Sequence, residues 1–203
     1  MGASGYLNSG IWSKHSLTPI AMKTVILDRD GVINQDSDAY IKTPDEWIAI
    51  PGSLEAIGRL TQTGYQVVVA TNQSGLARGL FDQATLDAIH HKMESAIQQH
   101  GGQLAGIYYC PHHPDDGCSC RKPRPGLLQQ IEQELGIDPA QTVLVGDSLR
   151  DLQAATAFGI KPILVLTGKG IKTAKEIDQK QQFDVYLNLA DFVETLIAKP
   201  NSE

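Results

Sequence analysis

The residues best suited to chemistry are Asp28 and Asp30, in the run Leu27-Asp28-Arg29-Asp30-Gly31-Val32-Ile33-Asn34. They follow an apolar stretch from Thr24 that reads as a buried strand. Ligands of open α/β sheets bind at the carboxyl ends of strands. Two carboxylates there can hold a hard cation, and one can attack phosphorus while the other moves a proton. A second strand-like run ends in Thr71-Asn72-Gln73-Ser74-Gly75. Its hydroxyl and the following backbone N–H groups can bond a phosphoryl oxygen. In Cys120-Arg121-Lys122-Pro123-Arg124-Pro125-Gly126, Lys122 offers a point charge and Arg121 a forked donor for a second anionic group or a sugar hydroxyl. A fourth run, Leu144-Val145-Gly146-Asp147-Ser148-Leu149-Arg150-Asp151, places Asp147 at another strand end. Asp147, Asp28 and the main-chain carbonyl of Asp30 form an incomplete set of hard oxygens, which suits Mg²⁺. Asp151 either orients a metal-bound water or caps the following helix.

Cys110, His112, Cys118 and Cys120 have the spacing C-x-H-x5-C-x-C. Three thiolates and one imidazole make a closed tetrahedral set, the structural type of zinc site. His113 is the rival histidine ligand. The loop runs straight into Arg121 and Lys122, so zinc would stiffen the segment that aims both. An odd, tightly clustered set of three cysteines fits metal binding better than disulfides and points to the reducing cytoplasm.

These groups need strands that end side by side. Strand-like segments are expected at Thr24–Asp28, Gln66–Thr71, Gly106–Cys110, Thr142–Gly146, Pro162–Leu166 and Phe183–Leu187. Helical patterns alternate with them at Ser53–Thr63, Asp82–His100, Pro125–Leu135, Leu149–Phe158, Thr173–Gln179 and Leu189–Ile197. That alternation predicts a three-layer, Rossmann-like, doubly wound parallel sheet. One domain is expected over residues 22–197. Residues 1–21 are expected to be a flexible extension without a signal peptide's apolar core, and residues 198–203 a tail. The long stretch from Arg29 to Gly52 reads as a flap over the site. Trp47 and Tyr40 within it either touch substrate or anchor it. No gap is long enough for a cap domain. His90, His91 and His100 read as solvated positions on an amphipathic helix.

The chain has 203 residues, 41% hydrophobic and 20% charged, with a net charge of −6 and a pI near 5.5. These values fit a soluble globular protein and give no basic surface for nucleic acid. No apolar run approaches the ~18 residues of a membrane span. The expected partner is a small molecule, and a monomer is the default.

The four strand ends together resemble the haloacid dehalogenase superfamily of aspartyl-phosphate phosphohydrolases, over Met22 to about residue 170. The resemblance implies a capless member in which Asp28 is the nucleophile and Asp30 the general acid, then base. It implies that Thr71 and Lys122 stabilise the transferring phosphoryl group, and that Asp28, Asp30 and Asp147 bind Mg²⁺. The DRDGxxN start, TNQSGxARG, the Cys/His loop and CRKPxPG together resemble the D-glycero-D-manno-heptose 1,7-bisphosphate 7-phosphatases of the nucleotide-heptose pathway that feeds lipopolysaccharide core assembly. That likeness implies a sugar-phosphate substrate contacted by Arg29, Asp36, Tyr40, Asn72, Gln73, Ser74 and Arg121. A zinc loop this short is also similar to that of the zinc-bearing histidinol-phosphate phosphatases. A non-catalytic, zinc-stabilised binding module is the alternative of a different class.

Overall fold

The computed structural model describes residues 23–177 and 183–198. The expected extension at 1–21, the last residues of the expected tail and the end of the expected helix Thr173–Gln179 lie outside them.

Among the described residues six strands form one sheet: β1 (Thr24–Leu27), β2 (Gln66–Asn72), β3 (Gly106–Cys110), β4 (Thr142–Gly146), β5 (Lys161–Val165) and β6 (Asp184–Tyr186). Their spatial order is β3-β2-β1-β4-β5-β6, and every pairing is parallel. The α-helices of the described residues connect or follow them: α1 (Ser53–Gln62), α2 (Gln83–Gln99), α3 (Gly126–Leu135), α4 (Leu149–Phe158), α5 (Gly170–Glu176) and α6 (Leu189–Ala198). The expected elements match except that α5 starts three residues early, where the chain turns directly from Thr167-Gly168-Lys169 into the helix.

Side chains alternate across a strand, and two separate cores result. Val25, Leu27, Val67, Val69 and Val145 face α1, α2 and α6. Ile26, Val68, Ala70 and Leu144 face α3 and α4. Both faces of the sheet are therefore covered, as parallel sheets require. Trp47 is 4% exposed and belongs to the first core. Lys92 on α2 sits over its ring at 6.0 Å. Trp47 thus anchors the flap and does not reach the pocket.

The order of strands reverses between β1 and β4, and ligands of such sheets bind at that switch point. Asp28 and Asp147 leave these two neighbouring strands. The Asp28 N–H donates to the Val145 carbonyl at 2.9 Å, extending the ladder by one residue. No inserted domain stands over this end of the sheet among the described residues.

Candidate active site

The acids converge. One carboxylate oxygen each of Asp28, Asp147 and Asp151 lie within 4.8 Å of one another. Glycine makes room for them. Gly31 (φ +81°) and Gly168 (φ +55°) flank the Asp147 carboxylate so closely that a Cβ at either position would overlap it. The positive φ angles add a second reason for glycine there.

Lys122 is 2% exposed and lies among the acids. Its ammonium is 2.6 Å from Asp151 Oδ1 and 3.1 Å from Asp28 Oδ1. It also donates to the Ala70 carbonyl at 2.6 Å. Burial works against its charge, but Asp151 and Asp28 outweigh that and raise its pKa. The Asn72 side chain holds the Lys122 backbone at both ends, accepting from its N–H and donating to its carbonyl, each at 3.1 Å. Asn72 therefore fixes Lys122 as well as bordering the pocket.

Asp151 is wholly buried. Its Oδ2 accepts from the Ser148 N–H at 3.1 Å and from the Ser148 hydroxyl at 2.5 Å. It caps α4, and its other oxygen pairs with Lys122.

Asp30 faces elsewhere. Arg29 forks onto it, Nη2 donating at 2.9 and 3.0 Å and Nε at 3.2 Å. Asn34 donates to the same carboxylate at 2.9 Å and Gln73 at 3.0 Å. Burial would push the Asp30 pKa up, but Arg29, Asn34 and Gln73 together lower it. Its carboxylate is outside the acid cluster, so any share in a metal site falls to its main-chain carbonyl. Gln73 also donates to Thr71 Oγ1 at 2.9 Å, linking the hydroxyl to the acid. Arg29 is 1% exposed. It borders the pocket, but its guanidinium is turned onto Asp30 and is not presented as a free donor to substrate.

The pocket, of about 280 Å³, is bordered by Asp28, Asp30, Thr71 and Asp147 on one side. Ser74, Tyr40, Arg121, Arg150 and Lys169 border the rest. Among the described residues Arg121 Nη1 is buried without a hydrogen-bond partner. Lys169 bonds Asp36 of the flap at 2.8 Å, and its backbone N–H donates to Asp147 Oδ2 at 2.8 Å.

In the second cluster, Cys120 Sγ lies 3.3 Å from Cys110, 3.5 Å from Cys118 and 3.2 Å from His112 Nδ1. Cys110 is 3.6 Å from both Cys118 and His112. A tetrahedron built on Zn–S bonds of ~2.3 Å has edges of roughly 3.7 Å, so the four ligands fit zinc. His113 is turned away, its Nδ1 accepting from the Asp115 N–H at 3.4 Å in the turn Pro114–Asp116. Burial and the neighbouring thiols push the Cys120 thiol up to about 12. A cation is what such a set needs in order to ionise.

The acid cluster makes the same demand. Burial first, then Asp28 and Asp151, raise Asp147 to about 8. Burial raises Asp28 to about 6 against the pull of Lys122, with Asp151 and Asp30 adding to the rise. Among the described residues, Asp28 Oδ2 and Asp147 Oδ1 carry no hydrogen bond. Hard oxygens, excess negative charge and free lone pairs fit a divalent ion that keeps some of its waters.

Comparison with known proteins agrees with this geometry. Residues 119–192 match a family model described as HAD-hydrolase-like. The D-glycero-β-D-manno-heptose-1,7-bisphosphate 7-phosphatase of Bordetella bronchiseptica is 58% identical, covering 87% of this chain and 98% of that protein. The chain belongs to this phosphatase family. The namesake protein of Neisseria meningitidis serogroup A is 48% identical over 90% of this chain and all of its own length. A crystal structure of the B. bronchiseptica enzyme complexed with magnesium and phosphate superposes with a TM-score of 0.84, covering 87% of this chain and 98% of that one. The family is one of phosphoric monoester hydrolases on the haloacid dehalogenase fold.

Several residues in the site carried no reading beforehand. Asn34 lies in the first motif and has no role assigned by the sequence, yet it donates to Asp30. Arg150, within the fourth motif, and Lys169 are assigned no role by the sequence, yet both border the pocket. His90 is 7% exposed, not solvated, whereas His91 and His100 are exposed. The signal for it was present: Leu86, His90, Met93 and Ile97 repeat at helical spacing on one face.

Proposed function

We propose that this chain is a Mg²⁺-dependent phosphatase that removes the C7 phosphate of D-glycero-D-manno-heptose 1,7-bisphosphate through an aspartyl-phosphate on Asp28. The carrying observation is the placement of Asp28 at the switch point, between Lys122 and Asp147, in a chain so similar to enzymes of that name.

Asp28 attacks the phosphorus, forming a P–O bond as the bond to the C7 oxygen breaks. Lys122, Thr71 and the N–H groups after it neutralise charge spread over the phosphoryl oxygens, which is most of what phosphoryl transfer requires. Asp30 gives a proton to the departing oxygen. A phosphate dianion beside it favours the protonated form that the Arg29 clamp alone would oppose. In the second half Asp30, now ionised, takes a proton from water as that water attacks phosphorus, and Asp28 and inorganic phosphate are released. Asp28, Asp147 and the Asp30 carbonyl would hold Mg²⁺, with Asp151 beside them. The ion supplies charge neutralisation between an anionic nucleophile and an anionic substrate. Cys110, His112, Cys118 and Cys120 would hold zinc in a structural role, since four protein ligands complete a tetrahedral set. The second phosphate meets Arg121 and Arg150, with Tyr40 and the flap at Asp36 closing over the sugar. The chain is taken to act as a monomer on a small-molecule substrate. Among the described residues no helix is long and apolar enough to cross a membrane. A cytoplasmic place in nucleotide-heptose synthesis fits the substrate.

Phosphate release with Mg²⁺ from the heptose bisphosphate and from histidinol phosphate tests this reading. Strong preference for the heptose is expected. Preference for histidinol phosphate would move the protein to another substrate, and release from neither would remove the catalytic reading.

Arg121→Ala is expected to lower kcat/KM for the bisphosphate roughly tenfold to a hundredfold, the value of one charge-assisted hydrogen bond. Turnover of phosphomonoesters lacking a second phosphate should change little. Equal losses on both would show that Arg121 does not set specificity.

The raised acids give a pH dependence. Asp28 near 6 and Asp147 near 8 in the folded chain exceed the usual 3.8. Their protonation stabilises the metal-free fold below about pH 4, and that contribution is lost as pH rises through 6 and 8. Mg²⁺ competes with those protons. Its stabilisation should therefore be small at pH 5. At pH 8 it should reach about 2.7 kcal/mol at a hundredfold excess over Kd, or roughly 5–10 °C in Tm. Thermal melts at both pH values check this; an equal Mg²⁺ shift at each would contradict the acid cluster as its site.

A further inference from the structure

His90 sits in the third turn of α2 and belongs to none of the motifs, yet it is among the buried polar residues of this chain. Its Nε2 is 3.4 Å from Nη1 of Arg29, across 61 residues of sequence. Its ring rests on Tyr109 at 5.7 Å between centroids, tilted by 59°. Tyr109 is in turn tied to the first turn of α2, its hydroxyl donating to Gln83 Oε1 at 3.1 Å. The imidazole is thus held on two sides and presents one nitrogen to the guanidinium.

A guanidinium has five N–H groups and no acceptor. With Arg29 only 1% exposed, its donors need protein partners, since water cannot reach them. Nε and Nη2 are taken up by Asp30. Among the described residues Nη1 finds a side-chain partner in His90. Only a neutral ring can accept there, with its proton on Nδ1. Burial, then Arg29 itself, lower the His90 pKa to about 4, so the ring stays neutral at ordinary pH.

The geometry points to His90 as a positioning residue: by accepting from Arg29 Nη1 it sets the angle of the fork that holds the Asp30 carboxylate toward the leaving-group oxygen. The inference rests on the phosphatase reading above and extends it to a helix that borders no part of the pocket. His90 touches neither substrate nor reacting atoms. It acts through Arg29, and Arg29 through Asp30. Misplacement of a general acid by an ångström or less is felt in the rate, because proton transfer demands hydrogen-bond reach.

Leaving-group dependence separates this role from simple packing. An alkyl oxygen must be protonated as it departs, whereas p-nitrophenolate leaves without a proton. His90→Phe keeps the ring on Tyr109 but removes the acceptor. It is expected to lower kcat/KM about tenfold on the sugar phosphate and less than about threefold on p-nitrophenyl phosphate. His90→Gln, whose amide oxygen can accept from Arg29, should stay within about threefold of wild type on both substrates. Should His90→Phe not fold, His90→Leu replaces it with the same expectation. Equal losses on the two substrates, an unchanged rate for the Phe variant, or a Gln variant as impaired as the Phe one would each overturn the inference. A wild type inert toward both phosphomonoesters would instead remove the phosphatase reading, and the inference with it.

Discussion

Asp28→Asn is expected to abolish phosphate release, by on the order of 10⁵-fold or more, as removal of a nucleophile does. The substitution keeps the shape of the side chain. The amide oxygen can still accept from the Arg29 N–H, as Asp28 Oδ1 does at 2.7 Å. It cannot attack phosphorus, because an amide lacks the free anionic lone pair of a carboxylate. Folding should survive. Asp28 is one of three acids crowded within 4.8 Å, and removing one charge relieves repulsion that Lys122 offsets only in part. Melting temperature is expected to stay within a few degrees of wild type, and zinc content should be unchanged because Cys110, His112, Cys118 and Cys120 form a separate cluster. Rapid quenching with labelled substrate supplies the second readout. Wild type should carry phosphate that hydroxylamine removes from the protein, and the variant should carry none. More than about 1% residual turnover, against the drop expected for a lost nucleophile, would place the nucleophile elsewhere.

Lys122→Met has the largest expected effect on stability. The ammonium lies 2.6 Å from Asp151 and 3.1 Å from Asp28, and all three groups are buried. Removing one partner of a buried ion pair leaves charge uncompensated and costs about 3–5 kcal/mol, which is roughly 10 °C or more in Tm for a chain of this length. The loss should be greatest at pH 8. Asp28 already stands near 6 beside its cation, and without that cation it holds its proton more tightly. At pH 5 the acid is protonated in the variant and less charge is stranded. Mg²⁺ should restore part of the lost stability at pH 8, since it brings positive charge to the same carboxylates. Activity is expected to fall by about 10²–10³, the effect of removing one charge-stabilising donor. A variant that melted and turned over like wild type would show that the ion pair neither holds the site together nor stabilises the phosphoryl group.

Much of the architecture could be read from local pattern. Short apolar runs alternating with helical patterns define β1 through β4 and their helices within a residue or two. Asp28, Thr71, Lys122 and Asp147 stand out because each sits at or just past a strand end or within a loop entering a helix. Parallel strands bring such positions to one edge whatever their exact order. Where α5 began was not legible, because its first turn, Gly170-Ile171-Lys172, lacks a side-chain cap. The zinc ligands were legible as residue types, but His112 and His113 are adjacent and equivalent in composition. Loop conformation separates them, one ring entering the cluster and the other capping a turn.

Partnerships across the fold had to wait for three dimensions. Arg29 was expected on the substrate and is found on Asp30. Asp151 had two possible roles and fills a helix cap while pairing with Lys122. Trp47 was free to touch substrate and is core instead. His90 was read as solvated and is buried against Arg29. The physical reason is common to all four. Periodicity says which face of an element is buried, and residue chemistry says what a group can do. Which cation meets which acid depends on strand order and helix placement across tens of residues, through distances of about an ångström that no local pattern encodes. The chain's chemistry is therefore written at its strand ends, while the pairings that tune its acids come from the closed sheet.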